Sequence, residues 1–199
     1  MTGFFPRGWY TGAVVSGGEF SPFLRRRFVL SWVHRKGGGT VDDLYYMDLA
    51  LELAREAFDR GEVPVGCVIV RGDQVVGRGS NRREGDKSAL AHAELEAIGQ
   101  ACRTLGGWRL WECTLYVTLE PCPMCAGAIL NARIPRVVYG ASDPKCGAVG
   151  SVCSLFDMRF NHHPQVEAGV REAEAAALLT SFFQKLRLEL RTRPKWKPK

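Results

Sequence analysis

Two short motifs supply residues of the types that bind zinc. His92 lies in the run HAE at residues 92–94, and Cys122 and Cys125 lie in the run PCPMC at residues 121–125. An imidazole and two thiolates form a nitrogen and sulfur ligand set that suits Zn²⁺. Three protein ligands leave the fourth position of a tetrahedral site open to water, which is typical of catalytic zinc. The two motifs together predict one Zn²⁺ ion per chain in a catalytic site.

Glu94 is the candidate for the acid and base of this site. It lies two residues after His92, close enough to reach the open position without binding the metal. A carboxylate there can move protons between water and a substrate. Glu96 follows two residues later, a rotation of about 200° on a helix. We therefore expect Glu96 to point away from the metal and to lie at the surface.

The elements that position these motifs follow from hydrophobic periodicity and from turn residues. Both motifs open a predicted helix directly after a loop or a strand, so the ligands collect at helix N-termini, where thiolates are stabilised. We predict helices at 43–59, 92–103, 124–132 and 172–190, and strands at 65–70, 74–78, 114–119, 136–139 and 166–168. Strands that alternate with helices indicate an α/β layered domain.

The charge of the chain is divided between an acidic middle and two basic ends. Its 199 residues hold 27 Lys and Arg against 21 Asp and Glu, a net charge of +6. Residues 1–40 carry +5, residues 41–184 carry −5 and residues 185–199 carry +6. A basic tail is typical of proteins that bind nucleic acid, but a tail that only aids solubility has the same charge.

Composition and glycine content divide the chain into three segments. We predict an appendage outside the fold at residues 1–40, a single folded domain at 41–190 and a basic C-terminal tail at 191–199. No apolar run reaches the about 18 residues of a membrane span, so we expect no membrane insertion. The seven cysteines are an odd number without a secretion signal, which favours reduced thiols and a cytoplasmic protein.

The sequence resembles the tRNA-specific adenosine deaminases, enzymes that convert the wobble adenosine of tRNA to inosine. The resemblance covers residues 44–190 and rests on both zinc motifs, whose order, HxE and then PCxxC, is that of zinc deaminases. The runs GEVPVG at 61–66, TLEPCPMCAGA at 118–128 and DPK at 143–145 extend it. It implies a three-layer α/β/α fold of the cytidine-deaminase type, with a five-stranded mixed sheet between helices.

The same resemblance implies how the RNA is held. It predicts a homodimer in which each site takes one tRNA anticodon stem-loop. It places Asn81 against the target nucleotide and Asp143 near the ribose of the preceding nucleotide, in a loop that includes Lys145. The predicted substrate-binding set also contains Ala93, Phe182 and Arg187. Cys146 departs from the pattern, since a small polar residue is expected in that loop.

Two other functions are consistent with these residues. A deaminase of a free base such as guanine or cytosine has the same zinc motifs, and only the basic tail and the loop at 143–145 argue against it. A non-catalytic zinc subunit that binds RNA is the second alternative, and the presence of Glu94 argues against it. A cytidine deaminase of free nucleosides is disfavoured, because those sites tend to have cysteine where this chain has His92.

Overall fold

The computed structural model describes residues 41–192. The predicted appendage at residues 1–40 and the tail residues from 193 onward lie outside this part of the chain. The predicted boundaries between the three segments therefore stay predictions. Within residues 41–192, no helix is both long enough and apolar enough to cross a bilayer.

A five-stranded mixed sheet forms the middle of the described fold. The helices are α1 (Val41–Asp59), α2 (Arg83–Asp86), α3 (Ala93–Leu105), α4 (Pro123–Ala132) and α5 (Glu172–Thr192). The strands are β1 (Gly66–Arg71), β2 (Gln74–Ser80), β3 (Cys113–Leu119), β4 (Arg136–Ala141) and β5 (Gln165–Ala168). Their order in the sheet is β2-β1-β3-β4-β5. Strand β1 is antiparallel to both β2 and β3, whereas β3, β4 and β5 run parallel.

Helices cover both faces of this sheet. Ile69 and Leu115 belong to the core on the face that α3 and α4 cover. Val68 and Tyr116 face the other way, toward α1, and α5 packs beside α1 on that second face. Because both faces are covered, β1 has five consecutive buried residues and no alternation of apolar and polar positions. The predicted three-layer α/β/α fold is confirmed.

The observed elements differ from the predicted ones mainly in the polar loops. The stretch between the predicted strand at 74–78 and the predicted helix at 92–103 contains α2, and a 3-10 helix at Leu155–Asp157 precedes β5. None of the residues of α2 is buried, so no hydrophobic pattern predicts it. A distant side chain holds this turn instead, because Glu62 accepts the backbone N–H groups of Glu84 and Gly85.

The sheet carries both zinc motifs to the same end of the fold. Strands β2 and β3 run in the same direction, since each is antiparallel to β1. β3 ends at Leu119, and Cys122 is the N-cap residue of the helix that follows, α4. β2 ends at Ser80, and the chain returns to begin α3 after its N-cap residue, His92. The N-termini of α3 and α4 therefore meet beyond one end of the sheet.

Gly79 allows α3 to lie directly on β2. A Cβ atom at this position would overlap the carbonyl oxygen of Ala93 and lie 2.7 Å from the backbone nitrogen of Ala97. These are backbone atoms, so α3 would have to move and carry Glu94 with it. We expect Gly79→Ala to lower the free energy of unfolding by about 1–3 kcal/mol, the usual cost of overpacking. Urea unfolding followed by circular dichroism measures the change.

Gly127→Ala, in α4, is the matched control for this substitution. Outside its own helix backbone and chain neighbours, no described atom lies within 4 Å of the Cβ position at Gly127. Alanine is a better helix former than glycine by about 1 kcal/mol. Gly127→Ala should therefore keep or raise the stability, and a Gly79→Ala protein as stable as the wild type would contradict the close packing.

Candidate metal centre and active site

His92, Cys122 and Cys125 form a compact cluster of metal-ligating groups. Nδ1 of His92 lies 3.8 Å from Sγ of Cys122 and 3.5 Å from Sγ of Cys125, and the two sulfurs are 3.6 Å apart. A tetrahedral Zn²⁺ ion with Zn–N and Zn–S bonds of about 2.0 and 2.3 Å spaces its ligands by about 3.5–3.8 Å. The triangle of ligand atoms therefore has the size that Zn²⁺ requires.

Two helix N-termini build this cluster. His92 and Cys122 are the N-cap residues of α3 and α4, and both have extended backbone conformations. Pro123 follows in the first turn of α4. Backbone N–H groups in this turn have no acceptor within the helix, so proline, which lacks an N–H group, fits there without loss of a hydrogen bond. Cys125 lies in the same turn and is fully buried. The positive ends of two helices thus face the sulfurs and favour thiolates there.

The two cysteine sulfurs interact strongly with each other. The hydrogen bond between the two sulfurs, with help from His92, lowers the pKa of Cys122 to about 4, against the effect of burial. The same hydrogen bond and burial raise the pKa of Cys125. Because Zn²⁺ binds both sulfurs as thiolates, its binding would release a proton from Cys125. The donor set fits zinc in chemistry as well as in size.

Glu94 lies inside the site and is only 4% exposed. Burial raises the pKa of its carboxyl, and the nearby charge of Cys122 adds to the shift, while His92 opposes it. A raised pKa suits a group that has to take up a proton and then release it. The role of Glu94 as the proton shuttle stays a prediction.

Glu96 turns away from the ligand cluster, as its position on the helix predicts. One of its carboxylate oxygens accepts the N–H group of Ser80 at 3.3 Å, and the other lies 3.5 Å from Nε of Arg82. The expected surface position of Glu96 is only partly right, since its side chain is 27% exposed. These contacts tie the first turn of α3 to the end of β2.

Asn81 is buried at the end of β2 and is held through its nitrogens. Its backbone N–H donates to Val65 at 3.0 Å, and its side-chain amide donates to Glu62 at 3.5 Å. The side chain is 5% exposed. Its orientation is therefore set by the protein, and a contact of Asn81 with a nucleotide would use its amide oxygen.

Asp143 caps its own loop, which we call the Asp143 loop (residues 143–151). Its Oδ1 accepts the backbone N–H groups of Lys145 at 2.9 Å and Cys146 at 3.2 Å, an arrangement typical of Asx turns. Lys145 and Cys146 are exposed. A contact of Asp143 with a ribose would therefore use Oδ2.

The other predicted substrate residues have different surroundings. Ala93 is fully buried as the first residue of α3, so only its backbone can reach a ligand. Phe182 is 6% exposed and packs edge-to-face on Phe58, with ring centroids 5.7 Å apart. Arg187 is exposed on α5. The structure thus gives Phe182 a place in the packing of α5 on α1 rather than on an open binding surface.

Sequence reasoning assigned no role to two buried glutamates beside the site. Glu62 is 3% exposed and accepts hydrogen bonds from Asn81 and from the first residues of α2. Glu120 is 2% exposed and accepts hydrogen bonds from the Asp143 loop. An isolated acidic residue next to a motif and beside apolar residues could have indicated both positions. A buried carboxylate is hydrogen-bonded or paired, so such a residue has partners elsewhere in the fold.

Comparison with known proteins identifies the family. The family of MafB19-like deaminases matches residues 41–187. A tRNA-specific adenosine deaminase of Bacillus subtilis (strain 168) is 48% identical over 149 residues, which are 74% of this chain and 92% of that protein. The chain belongs to the tRNA-specific adenosine deaminase family. The resemblance indicated by its motifs is confirmed, and as a member of this family the chain is a hydrolytic deaminase.

Solved structures agree with membership of the tRNA-specific adenosine deaminase family. A structure from a study of A-to-I editing by tRNA deaminases at the wobble position has a TM-score of 0.66 and 48% identity, and covers 68% of this chain and 99% of that chain. A guanine deaminase from Nitrosomonas europaea has a TM-score of 0.57 at 23% identity, covering 70% of this chain and 83% of that chain. The second likeness shows a shared fold alone.

Proposed function

We propose that this chain hydrolyses the wobble adenosine of a tRNA anticodon to inosine and ammonia. The observation that carries the proposal is the 48% identity to the Bacillus subtilis enzyme across 92% of that protein. The cluster of His92, Cys122 and Cys125 beside the buried Glu94 supplies the chemistry that such a reaction needs.

His92, Cys122 and Cys125 would hold the zinc ion in this proposal. Zn²⁺ bound in such a site supplies Lewis-acid activation of water, whose pKa it lowers toward about 7. His92 contributes Nδ1, the ring atom that faces both sulfurs. Cys125 and Glu94 are buried, whereas His92 and Cys122 are half-buried, so the centre lies only partly inside the fold.

Glu94 moves the protons of the proposed reaction. Its carboxylate takes a proton from the attacking water and delivers it to N1 of adenine, while oxygen bonds to C6. It then takes the proton of the hydroxyl group formed at C6 and transfers it to the departing amine, so that C6 becomes a carbonyl and ammonia leaves. Atoms balance as adenosine plus water giving inosine plus ammonia, with Glu94 returned to its starting state.

The adenosine has to leave its base stack to reach Glu94. This displacement is least costly in a single-stranded loop, such as a tRNA anticodon loop. In our proposal Asn81 contacts the displaced nucleotide and the Asp143 loop contacts the nucleotide before it. The exposed Lys145 and Arg187 supply positive charge for the backbone phosphates.

The proposal includes a homodimer and a cytoplasmic location. The resemblance to the family supports the homodimer, and size-exclusion chromatography with light scattering tests it. A reducing compartment would keep Cys122 and Cys125 available as thiolate ligands, and this need supports the proposed cytoplasmic location.

An anticodon stem-loop with adenosine at the wobble position tests the proposed substrate. We expect inosine to form on this RNA, and no comparable turnover of free guanine, cytosine or adenine. Nucleoside analysis after digestion measures the inosine, and ammonia release measures turnover of the free bases. Rapid turnover of a free base without turnover of the RNA would overturn the proposed substrate.

Asp143 predicts a preference for RNA over DNA. If its Oδ2 meets a ribose 2′-OH, the same stem-loop in DNA loses a hydrogen bond to a charged group. Such a bond contributes about 1.5–3 kcal/mol, so we expect kcat/KM to be about 10-fold to 100-fold lower on DNA. Asp143→Asn should narrow this gap, since a neutral amide forms a weaker hydrogen bond with the 2′-OH than a carboxylate does. Equal rates on RNA and DNA with Asp143 in place would contradict the role.

A further inference from the structure

Glu120 is a buried acid between the central strand and the zinc motif. It follows the last residue of β3, precedes the PCPMC run at 121–125 and is 2% exposed. Its backbone N–H donates to Ala141 at the end of β4, at 2.8 Å. The backbone of Glu120 is therefore tied to the parallel pair of strands that leads to Cys122.

The Glu120 carboxylate accepts hydrogen bonds from several residues along the Asp143 loop. Oε2 accepts the N–H group of Asp143 at 3.0 Å and also the hydroxyl of Ser151. Oε1 accepts the N–H groups of Val149 at 3.2 Å and Ser151 at 2.9 Å. The donors come from the first residue, the last residue and the interior of the loop, so a single side chain defines its closed shape.

Four hydrogen bonds from the loop converge on this carboxylate: three come from backbone N–H groups and one from the hydroxyl of Ser151. Hydrogen bonds to a charged acceptor are about twice as strong as those between neutral groups. The loop is therefore fastened by charge-assisted bonds.

The loop also packs tightly against this side chain. A Cβ atom at Gly147 would overlap the Glu120 carboxylate, so the loop backbone passes directly over it. The next residue, Ala148, donates its N–H to the carbonyl of Pro121 at 2.9 Å. Pro121 adjoins Cys122, so the same stretch of loop is joined to the metal-binding turn through the backbone.

We propose that Glu120 is a positioning residue, which sets the distance and orientation of the Asp143 loop relative to the metal-binding turn. It contacts neither metal nor substrate, and it acts through the loop that meets the nucleotide before the reacting adenosine. This role rests on the proposed function, since it concerns how the RNA is presented to Glu94.

Glu120→Gln tests the role, because glutamine keeps the size of the side chain but turns one acceptor into a donor. That donor would face N–H groups of the loop and displace it. Loss of one hydrogen bond between a charged group of the displaced loop and the RNA lowers the affinity by about 10-fold to 10²-fold. We expect KM for the stem-loop to rise about 10-fold to 10²-fold, with kcat at saturating RNA and the zinc content close to wild type.

Gly147→Ala disturbs the same contact from the loop side without changing a charge. It should raise KM in the same way, and it tests the role even if Glu120→Gln does not fold.

Asp43→Asn is the matched control for loss of a buried acid. Asp43 is also 2% exposed, but its partners are Tyr116 in β3 and Arg136, the first residue of β4. Neither partner belongs to the Asp143 loop. Asp43→Asn should lower Tm and leave KM unchanged.

The wild-type protein is measured first on the stem-loop, and its failure to form inosine would overturn the proposed function alone. Binding of a fluorescent stem-loop, followed by anisotropy, compares the same variants without turnover. If Glu120→Gln and Gly147→Ala bind the stem-loop as tightly as the wild type, the positioning role is overturned. The same holds if Asp43→Asn weakens binding equally, because stability alone would then explain the losses.

Discussion

Glu94→Gln should fold, bind zinc normally and lose almost all deaminase activity. Glutamine has the shape of glutamate but cannot accept and return a proton at working pH. A positioned acid or base contributes about 10²-fold to 10⁴-fold, so kcat should fall by at least that range. Because Glu94 is buried, the loss of its negative charge should keep or raise Tm. Single-turnover inosine formation measures the loss of activity, and metal analysis of the purified protein measures its zinc content.

Glu96→Gln is the matched control on the same helix. It makes the same chemical change two residues away, where the carboxylate contacts Ser80 and Arg82 and not the ligand cluster. We expect this variant to retain most of the wild-type kcat. Full activity in Glu94→Gln, with inosine formed at the wild-type rate, would rule out the proposed proton shuttle.

Cys122→Ser should lose zinc and activity together. The wild type should carry about one Zn²⁺ per chain, since three protein ligands of the right spacing are present. Residues that only support metal ligands are worth about 10–100-fold in metal affinity, so removing a ligand should cost more than that. Inductively coupled plasma mass spectrometry after dialysis against a weak chelator measures the retained metal.

Cys102→Ser is the control for the effect of replacing a thiol. Cys102 lies near the end of α3, and its sulfur makes a long contact of 3.9 Å with the carbonyl of Trp108. This variant should keep its zinc and its activity. A Cys122→Ser protein that holds one Zn²⁺ per chain as tightly as Cys102→Ser would exclude Cys122 as a ligand.

Local spacing determined the candidate metal site from the sequence. Cys122 and Cys125 are three residues apart at a helix start, so a single turn of chain brings both sulfurs to one point. His92 is the N-cap residue of a second helix and Glu94 lies in its first turn, so the ligand and the acid share one helix N-terminus. These relations depend on short-range geometry, and the structure reproduces them to within hydrogen-bonding distances.

Hydrophobic periodicity is also a short-range property of the sequence, and it predicted the order and type of the long helices and strands. Each of the five predicted strands and four long helices appears, with ends that differ by a few residues. The short helix α2 was not predicted, because it buries nothing and depends on Glu62, more than twenty residues earlier in the chain.

Only the tertiary structure decided the roles of residues whose partners lie far away in sequence. Glu120 closes a loop through Ser151, 31 positions later, and Asp43 binds Arg136 across 93 positions. Phe182 is buried against Phe58, and its expected contact with the substrate stays a prediction. A buried carboxylate or ring is defined by the donors and surfaces around it, and those come together only when the sheet and its two helical layers have formed.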